Sequence, residues 1–198
     1  MGSGTKAKIL DSALRIFARD GYAGTNIKDI AESVGIVKSA LYRHFDSKEA
    51  IWNAVFEMMI SYYGEHIASA ADLQHVPQST DELYEMTMRM VDFTVHDEKV
   101  ILTRKILLTE QFRDDRVRAL ATGYFLDDIE AVFEKVFASM MDAGVIRKAD
   151  AKLLALSYTS PITSLIHLCD REPDRIPEAV GRIESFIRQF TDTYGAEI

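Results

Sequence analysis

The chain has 198 residues, of which 47% are hydrophobic and 27% are charged, so it can bury a sizeable core and extensive disorder is not expected. It contains no run of about 18 apolar residues, so no membrane-spanning helix and no membrane partner are expected. Cys169 is its single cysteine, which excludes an intrachain disulfide. A single cysteine suits a protein of the reducing cytoplasm, which is where we expect this one. The N-terminal residues MGSGTKAK lack the apolar stretch of a signal peptide.

The net charge of −8 argues at first against a nucleic-acid partner. The charges are unevenly distributed, however. Residues 1–50 carry eight Lys/Arg and six Asp/Glu, whereas residues 51–198 carry 15 and 25. A slightly basic segment attached to an acidic body suits phosphate contacts at one end of the molecule. Alone, this asymmetry fits an ordinary solvated surface better, so its meaning depends on the motifs.

The N-terminal segment predicts three helices. The first spans about residues 5–20, with Ile9, Ala13 and Phe17 on one face, and Gly21 ends it. Two short helices follow, separated by a turn at Gly35. Asn26 can cap the first of them, and the second covers about residues 38–44. This pattern predicts a helix-turn-helix, whose second helix enters the major groove of DNA.

The remainder of the chain also reads as helical. Ser47 can cap a long helix that runs to about residue 71 and leads from the N-terminal segment into the body. A break at residues 72–78 precedes a capping box formed by Ser79 and Glu82. Further helices are predicted over about residues 80–95, 97–108, 114–142, 150–170 and 177–194. The fold class is therefore all-α.

Residues 9–56 resemble the DNA-binding domain of TetR-family transcriptional regulators. The resemblance rests on a densely spaced set: Ile9, Ala13, Phe17, Gly21, Tyr22, Thr25, Ile30, Ala31, Gly35, Leu41, Tyr42, Phe45, Lys48 and Glu49. It implies a three-helix DNA-binding head, residues 1–50, and a helical-bundle body for effector binding and dimerisation, residues 51–198. The implied function is a ligand-responsive regulator, most simply a repressor, that binds a palindromic double-stranded DNA operator as a homodimer.

The resemblance also implies roles for individual side chains of the head. Phosphate contacts are expected from Thr25, Tyr42, His44 and Lys48, and base-edge contacts from Lys38, Ser39 and Arg43. Val37 departs from the family pattern, which often has Ser or Thr there to cap the recognition helix. Valine cannot cap, so we expect either fraying of that helix or an apolar contact with a thymine methyl group.

Met and aromatic residues are frequent in the body and predict either ordinary core or a pliable apolar cavity. The family resemblance favours a cavity for a small lipophilic effector, of undetermined charge but more readily cationic than anionic beside an acidic body. The predicted lining is Met59, Tyr62, Tyr63, Met90, Phe93, Tyr124 and Tyr158. His66, His96 and His167 are possible polar contacts.

The last two predicted helices carry dense apolar stripes. As the family resemblance implies, two such helices from each chain would form a four-helix dimer interface. The predicted interface is Leu165, Ile166, Ile183, Phe186, Ile187 and Phe190, and glutamates at Ile187 and Phe190 are then expected to give a folded monomer. The alternative is that these stripes only complete the core of one chain.

No catalytic, metal or cofactor site is predicted. The five histidines show no i, i+4 pairing, and no phosphate-binding glycine loop or nucleophile motif occurs. An enzyme acting on a small apolar substrate is therefore a remote alternative. An activator, or a ligand-independent regulator whose body binds a protein partner, is a nearer one.

Overall fold

The computed structural model of the protein describes the backbone of residues 2–70 and 76–196 and the side chains of residues 4–65 and 76–196. Its ten α-helices are α1 (Gly2–Gly24), α2 (Ile27–Ser33), α3 (Lys38–Leu41), α4 (Lys48–Ala70), α5 (Thr80–His96), α6 (Glu98–Glu110), α7 (Asp115–Thr122), α8 (Asp128–Asp142), α9 (Ala151–Arg171) and α10 (Ile176–Tyr194). A π-helical turn, Gly123–Asp127, joins α7 to α8, and a 3₁₀ turn, Pro173–Arg175, precedes α10. The described part contains no strand, only an isolated bridge between Ile146 and Gly195.

The chain divides into two compact units. The first unit comprises Met1–Gly64 and Glu98–Leu120, and the second comprises Glu65–Asp97 and Ala121–Ile198. The first unit therefore includes α6 and most of α7 besides the helix-turn-helix. The domain boundary predicted after residue 50 does not coincide with this division, which falls inside α4. None of the described helices combines the length and apolar character needed to cross a membrane.

The core of the first unit is built around α1. Helix α2 packs against α1 and α3, and α6 packs along α1. Their apolar residues repeat at helical spacing, so each helix buries one stripe. The buried side chains include Ile9, Ala13, Phe17, Ile30, Leu41, Phe45, Ile51, Trp52, Val55, Ile106 and Leu107.

The core of the second unit is an aromatic cluster supplied by α8, α9 and α10. The Tyr158 ring lies 5.0 Å from the Phe133 ring, 5.2 Å from Phe137 and 4.5 Å from Phe190. Its hydroxyl is 2.8 Å from the Thr87 hydroxyl of α5. Burial raises the pKa of the Tyr158 phenol, and the hydrogen bond with Thr87 opposes this only in part, so the group stays neutral.

Four predicted helix starts are confirmed by hydrogen bonds. The Asn26 side chain accepts from the Lys28 N–H at 2.9 Å, and Ser47 Oγ accepts from the Ala50 N–H at 3.0 Å. Ser79 Oγ accepts from Glu82, and Asp150 accepts from two backbone N–H groups of α9. These oxygens satisfy N–H groups that have no partner inside their own helix, which fixes where each helix begins.

The predicted end of the first helix is confirmed in the backbone, whereas a later predicted helix is interrupted. Gly21 takes a non-helical conformation, φ 70° and ψ 170°, and only a short helical turn to Gly24 follows it within α1. The segment predicted as one helix over residues 114–142 contains the π-helical turn, which sequence periodicity did not reveal. The predicted break at residues 72–78 lies mostly outside the described residues, as do the side chains of His66 and His75.

Candidate nucleic-acid interface

The helix predicted to enter DNA, about residues 38–44, is shorter than expected. Regular α-helix covers only Lys38–Leu41. The Arg43 N–H then donates to the Ala40 carbonyl and the His44 N–H to the Leu41 carbonyl, which tightens the last turn to 3₁₀ spacing. At the other end Val37 takes the extended N-cap conformation, φ −79° and ψ 152°, without a side-chain cap. The expected absence of a cap at Val37 is confirmed.

This recognition segment, residues 37–44, has one anchored and one exposed face. Leu41 is completely buried, and it fixes the segment to the core of the first unit. On the opposite face Lys38, Ser39 and Arg43 are exposed, as are Val37 at 68% and Tyr42 at 40%. The exposed set combines a cation, hydroxyls, a guanidinium and an apolar group, which are the chemistries that read base edges and phosphates.

Two residues predicted to contact phosphates have other partners in the structure. Thr25 is buried, and its hydroxyl donates to the Gly21 carbonyl at 2.7 Å. Lys48 Nζ donates to the Tyr22 and Thr25 carbonyls at 2.8 and 2.9 Å. The same ammonium lies 4.6 Å from the centre of the Tyr22 ring. Lys48 therefore ties the start of α4 to the corner between α1 and α2, and His44 is half-buried.

The α1–α2 corner is also held by a residue that sequence reasoning missed. Glu110, at the end of α6, is buried and accepts from the Tyr22 N–H at 3.2 Å. The positive φ of Gly21 favours glycine at this corner, and a Cβ there would lie 2.6 Å from Glu110 Oε1, so the Glu110 side chain would have to move. Arg113 pairs with the same carboxylate at 3.3 Å. This corner positions α2 and the recognition segment.

A second buried anchor holds α4 and the segment before α7 together. The Trp52 ring stacks edge-on against Phe17 at 5.0 Å, and its indole N–H donates to Asp114 at 3.3 Å. Hydrogen bonds from Arg116 lower the pKa of Asp114 to about 2. Because that pKa lies below the ordinary carboxyl value, Asp114 stabilises the fold above about pH 4, and this contribution is lost as the pH falls through about 2.

One cation near the recognition segment was not predicted. Lys6 Nζ lies 5.2 Å from the centre of the Phe45 ring, and Lys6 is exposed at the start of α1. The only sequence signal for Lys6 as a DNA contact is that it is a basic residue in the N-terminal segment. Lys6 joins the exposed candidates, whereas Thr25 is better described as a residue that positions them.

Replacing Lys48 by alanine should destabilise the first unit as well as weaken DNA binding. The change removes two hydrogen bonds from an ammonium group, and the expected loss of stability is about 2 kcal/mol. Thermal and urea unfolding would measure it. The matched control is Lys28→Ala, since Lys28 is exposed and pairs only with Glu32 of its own helix among the contacts described. Equal stability of both variants would contradict the anchoring role.

The residues predicted to bind an effector lie in both units. Met59, Tyr62 and Tyr63 belong to the first unit, and Met59 is buried. In the second unit Met90 and Tyr158 are buried, whereas Phe93 and Tyr124 are half-buried. Tyr158 is surrounded by aromatic side chains of its own unit, so its described contacts are those of a core residue. The effector-binding role of the set stays a prediction.

The residues predicted to form the dimer interface differ in how deeply they are buried within one chain. The prediction needs correction for those that are fully buried. Ile183 and Ile187 are completely buried within the second unit, and Phe190 is 6% exposed. These three side chains already complete the core of one chain and cannot also face a second copy. Leu165, Ile166 and Phe186 are half-buried against the same core. The large apolar side chains that α9 exposes are instead Leu153 and Leu156.

Among the described side chains, no three His, Cys, Asp or Glu residues are grouped so that they could hold a metal ion. Cys169 is a buried thiol.

Residues 9–55 match the family described as bacterial regulatory proteins, tetR family. The chain is 36% identical over 96 residues to IcaR, the negative transcriptional regulator of the biofilm operon icaADBC in Staphylococcus epidermidis. It is 36% identical over 86 residues to IcaR of Staphylococcus aureus strain Newman. These matches cover 48% and 43% of this chain, and 49% and 45% of the two relatives, so the chain spans about half the length of each.

Solved structures share the fold over nearly the whole chain. A protein from Saccharomonospora viridis in complex with choline superposes with a TM-score of 0.74 at 20% identity, covering 98% of this chain and 100% of that one. SmeT, the repressor of the Stenotrophomonas maltophilia multidrug efflux pump SmeDEF, gives a TM-score of 0.67 at 19% identity, with 97% and 91% covered. A complex of SmeT with triclosan gives 0.71 at 20% identity, covering 98% of this chain and 93% of that one. Residues 9–55 are therefore a helix-turn-helix domain of the tetR family of bacterial regulatory proteins, and the whole chain shares the fold of these solved structures.

Proposed function

We propose that this protein is a repressor that binds a palindromic DNA operator as a homodimer and releases it when a small lipophilic effector binds. The observation that carries the proposal is the recognition segment, which exposes Val37, Lys38, Ser39, Tyr42 and Arg43 while Leu41 anchors it. The negative-regulator function of the IcaR relatives supports repression over activation. Such a regulator would act in the cytoplasm, where its operator is.

The exposed side chains divide naturally between two tasks. Arg43 and Lys38 can donate to guanine edges, and Ser39 can pair with several bases. The Tyr42 hydroxyl and the ammonium of Lys6 suit phosphate oxygens, which accept hydrogen bonds without regard to sequence. Val37 offers a methyl contact to thymine, which accounts for an apolar residue at 68% exposure in this position.

A dimer is proposed because one short recognition segment reads too few base pairs for useful specificity. Two segments roughly one to one-and-a-half DNA turns apart would read an inverted repeat. Leu153 and Leu156 on α9 supply exposed apolar surface for the dimer contact. On α10 Gly181 is exposed with open space around it, which would let a second helix approach closely. Leu165, Ile166 and Phe186 would complete the rim of this contact.

Release by an effector is supported by neighbours of the same fold that were solved with choline and with triclosan. An effector can shift the equilibrium only by binding the DNA-incompetent state more tightly. About 1.4 kcal/mol of such coupling lowers operator affinity about tenfold, which is within the usual allosteric range. The residues predicted to contact an effector are Met59, Tyr62 and Tyr63 of the first unit and Met90, Phe93, Tyr124 and Tyr158 of the second, where Tyr158 packs as a core residue.

The DNA-binding part of the proposal is tested by titrating an operator with variants of the recognition segment. We expect Arg43→Ala to lose about 1–3 kcal/mol of affinity and to relax specificity at one base pair. Tyr42→Ala should weaken binding to all sequences alike. Lys28→Ala, which also removes one exposed cation, is the control and should bind nearly as the parent does. Unchanged affinity in both recognition-segment variants would exclude this surface as the DNA-binding face.

A further inference from the structure

Glu130, near the start of α8, has an unusual environment in the second unit. Its Oε1 atom is buried, and it finds no hydrogen-bond partner among the residues that the structure describes. A buried acceptor without a donor is rare in folded proteins, because such a group loses its water without replacement. Glu130 as a whole is only partly buried, so a group from solution can reach this carboxylate and supply the missing donor.

The position of Glu130 follows from the packing of α8 against α9. Phe137 and Phe133 contact Tyr158, whereas Phe125 contacts His167 with the ring centres 4.9 Å apart. Residues earlier in the chain on the α8 side, such as Phe125, therefore meet residues later in α9, such as His167. Helices α8 and α9 thus run antiparallel. Glu130 lies three and seven residues before the two buried phenylalanines and therefore on the same helical face.

Glu130 is thus placed in the seam between α8 and α9, between the two aromatic contacts. At the same level α9 contains Pro161, which has no backbone N–H to donate. Toward the π-helical turn, the Tyr124 and Phe125 rings lie 5.2 Å apart. This part of the seam offers a carboxylate and aromatic faces, and π-helical turns often occur at functional sites.

We infer that Glu130 pairs with a protonated amine of the effector, which makes the effector a lipophilic organic cation. The inference rests on the proposed function and names the chemical class of its ligand. An ammonium N–H would donate to the unsatisfied Oε1, and the bond would be strengthened by charge on both partners. Aromatic faces attract the same cation, and the surplus of acidic residues in positions 51–198 attracts it from solution.

The test compares ligands that differ in charge but hardly in shape. Binding of 4-phenylbutylamine, 4-phenylbutan-1-ol and 4-phenylbutyrate is measured by calorimetry on the full chain. We expect the amine to bind at least about tenfold more tightly than the alcohol, which corresponds to about 1.4 kcal/mol, and the acid to bind most weakly. In Glu130→Gln, which keeps the size of the side chain, the preference for the amine should disappear. Asp127→Asn removes an exposed charge one turn earlier and should leave the preference intact.

A second measurement needs no ligand. Glu130→Leu replaces the unsatisfied acceptor by an apolar side chain, so we expect its melting temperature to exceed that of the parent. A lower melting temperature would show that Glu130 has a structural role and would overturn the inference. So would a wild-type protein that binds amine and alcohol alike or binds neither, and so would a Glu130→Gln variant that keeps the preference.

Operator titration separates this inference from the proposed function. If the amine binds through Glu130 and also lowers operator affinity, both hold. If it binds through Glu130 without changing operator affinity, the cation site stands and the release mechanism fails. If the neutral alcohol releases DNA as well as the amine does, the release mechanism stands and the cation inference fails.

Discussion

Replacing Ile187 by glutamate should unfold the second unit. Ile187 has no exposed surface and lies in the core cluster that also contains Phe137 and Tyr158. Burying a carboxylate there without a partner, or opening the core to hydrate it, is expected to cost on the order of 4 kcal/mol or more. This is comparable with the whole stability of many domains. Urea unfolding and far-ultraviolet circular dichroism would measure the loss.

The matched control is Gln189→Glu, which adds the same charge at an exposed position two residues further along α10. It should unfold within about 0.5 kcal/mol of the parent. A folded Ile187→Glu protein that sediments as a monomer would contradict the placement of Ile187 in the core and would restore it to the dimer interface.

Introducing glutamate at both Leu153 and Leu156 should instead give a folded monomer with weak operator binding. Leu153 is 63% exposed and Leu156 is 40% exposed, so neither change disturbs the core of the chain. In the proposed dimer, however, two pairs of new carboxylates would meet in an apolar contact. Loss of the dimer removes one half-site contact, and operator affinity should fall by about 100-fold or more. Analytical ultracentrifugation and operator titration measure the two effects.

Lys152→Glu provides the control for this double variant. It changes the net charge by the same two units at an exposed neighbouring position of α9. We expect it to remain dimeric, with a smaller loss of DNA affinity that disappears at high salt. A Leu153→Glu, Leu156→Glu protein that still sediments as a dimer would place the interface on another face.

The helix-turn-helix was predictable because its signals are local. Asn26 caps α2, Gly35 adopts φ 73° in the turn, and Leu41 is buried as its spacing indicated. Each of these depends on residues close in sequence, where capping, glycine conformation and helical periodicity act. The end of the recognition helix was less predictable, since the tightened turn at Arg43 and His44 has no distinct sequence signal.

The contacts that hold the recognition segment in place were not predictable from local patterns. The Glu110 side chain accepts a hydrogen bond from the backbone of Tyr22, which is 88 residues away in sequence. The Lys48 side chain donates one to the backbone of Tyr22, 26 residues away. A motif can show that Lys48 recurs at this position without revealing whether its ammonium meets a phosphate or a carbonyl. Only the folded geometry separates the two roles.

The dimer prediction failed at Ile183, Ile187 and Phe190 for a related reason. Helical periodicity identifies the apolar stripe of α10 but not the surface that covers it. A stripe buried by α8 and α9 of the same chain has the same spacing as one buried by a second copy. The buried acceptor of Glu130 likewise has no sequence signal, since a glutamate near a helix start is ordinarily read as a favourable charge.

The central claim, that the recognition segment reads a specific DNA sequence as one half of a dimer, is tested most directly by selection from random double-stranded DNA with the purified chain. We expect enrichment of an inverted repeat whose half-sites are roughly one to one-and-a-half turns apart. Selection with Arg43→Ala should lose information at the same base pair in both half-sites. Failure to enrich any sequence, or enrichment of an identical inverted repeat by the wild type and by Arg43→Ala, would contradict it.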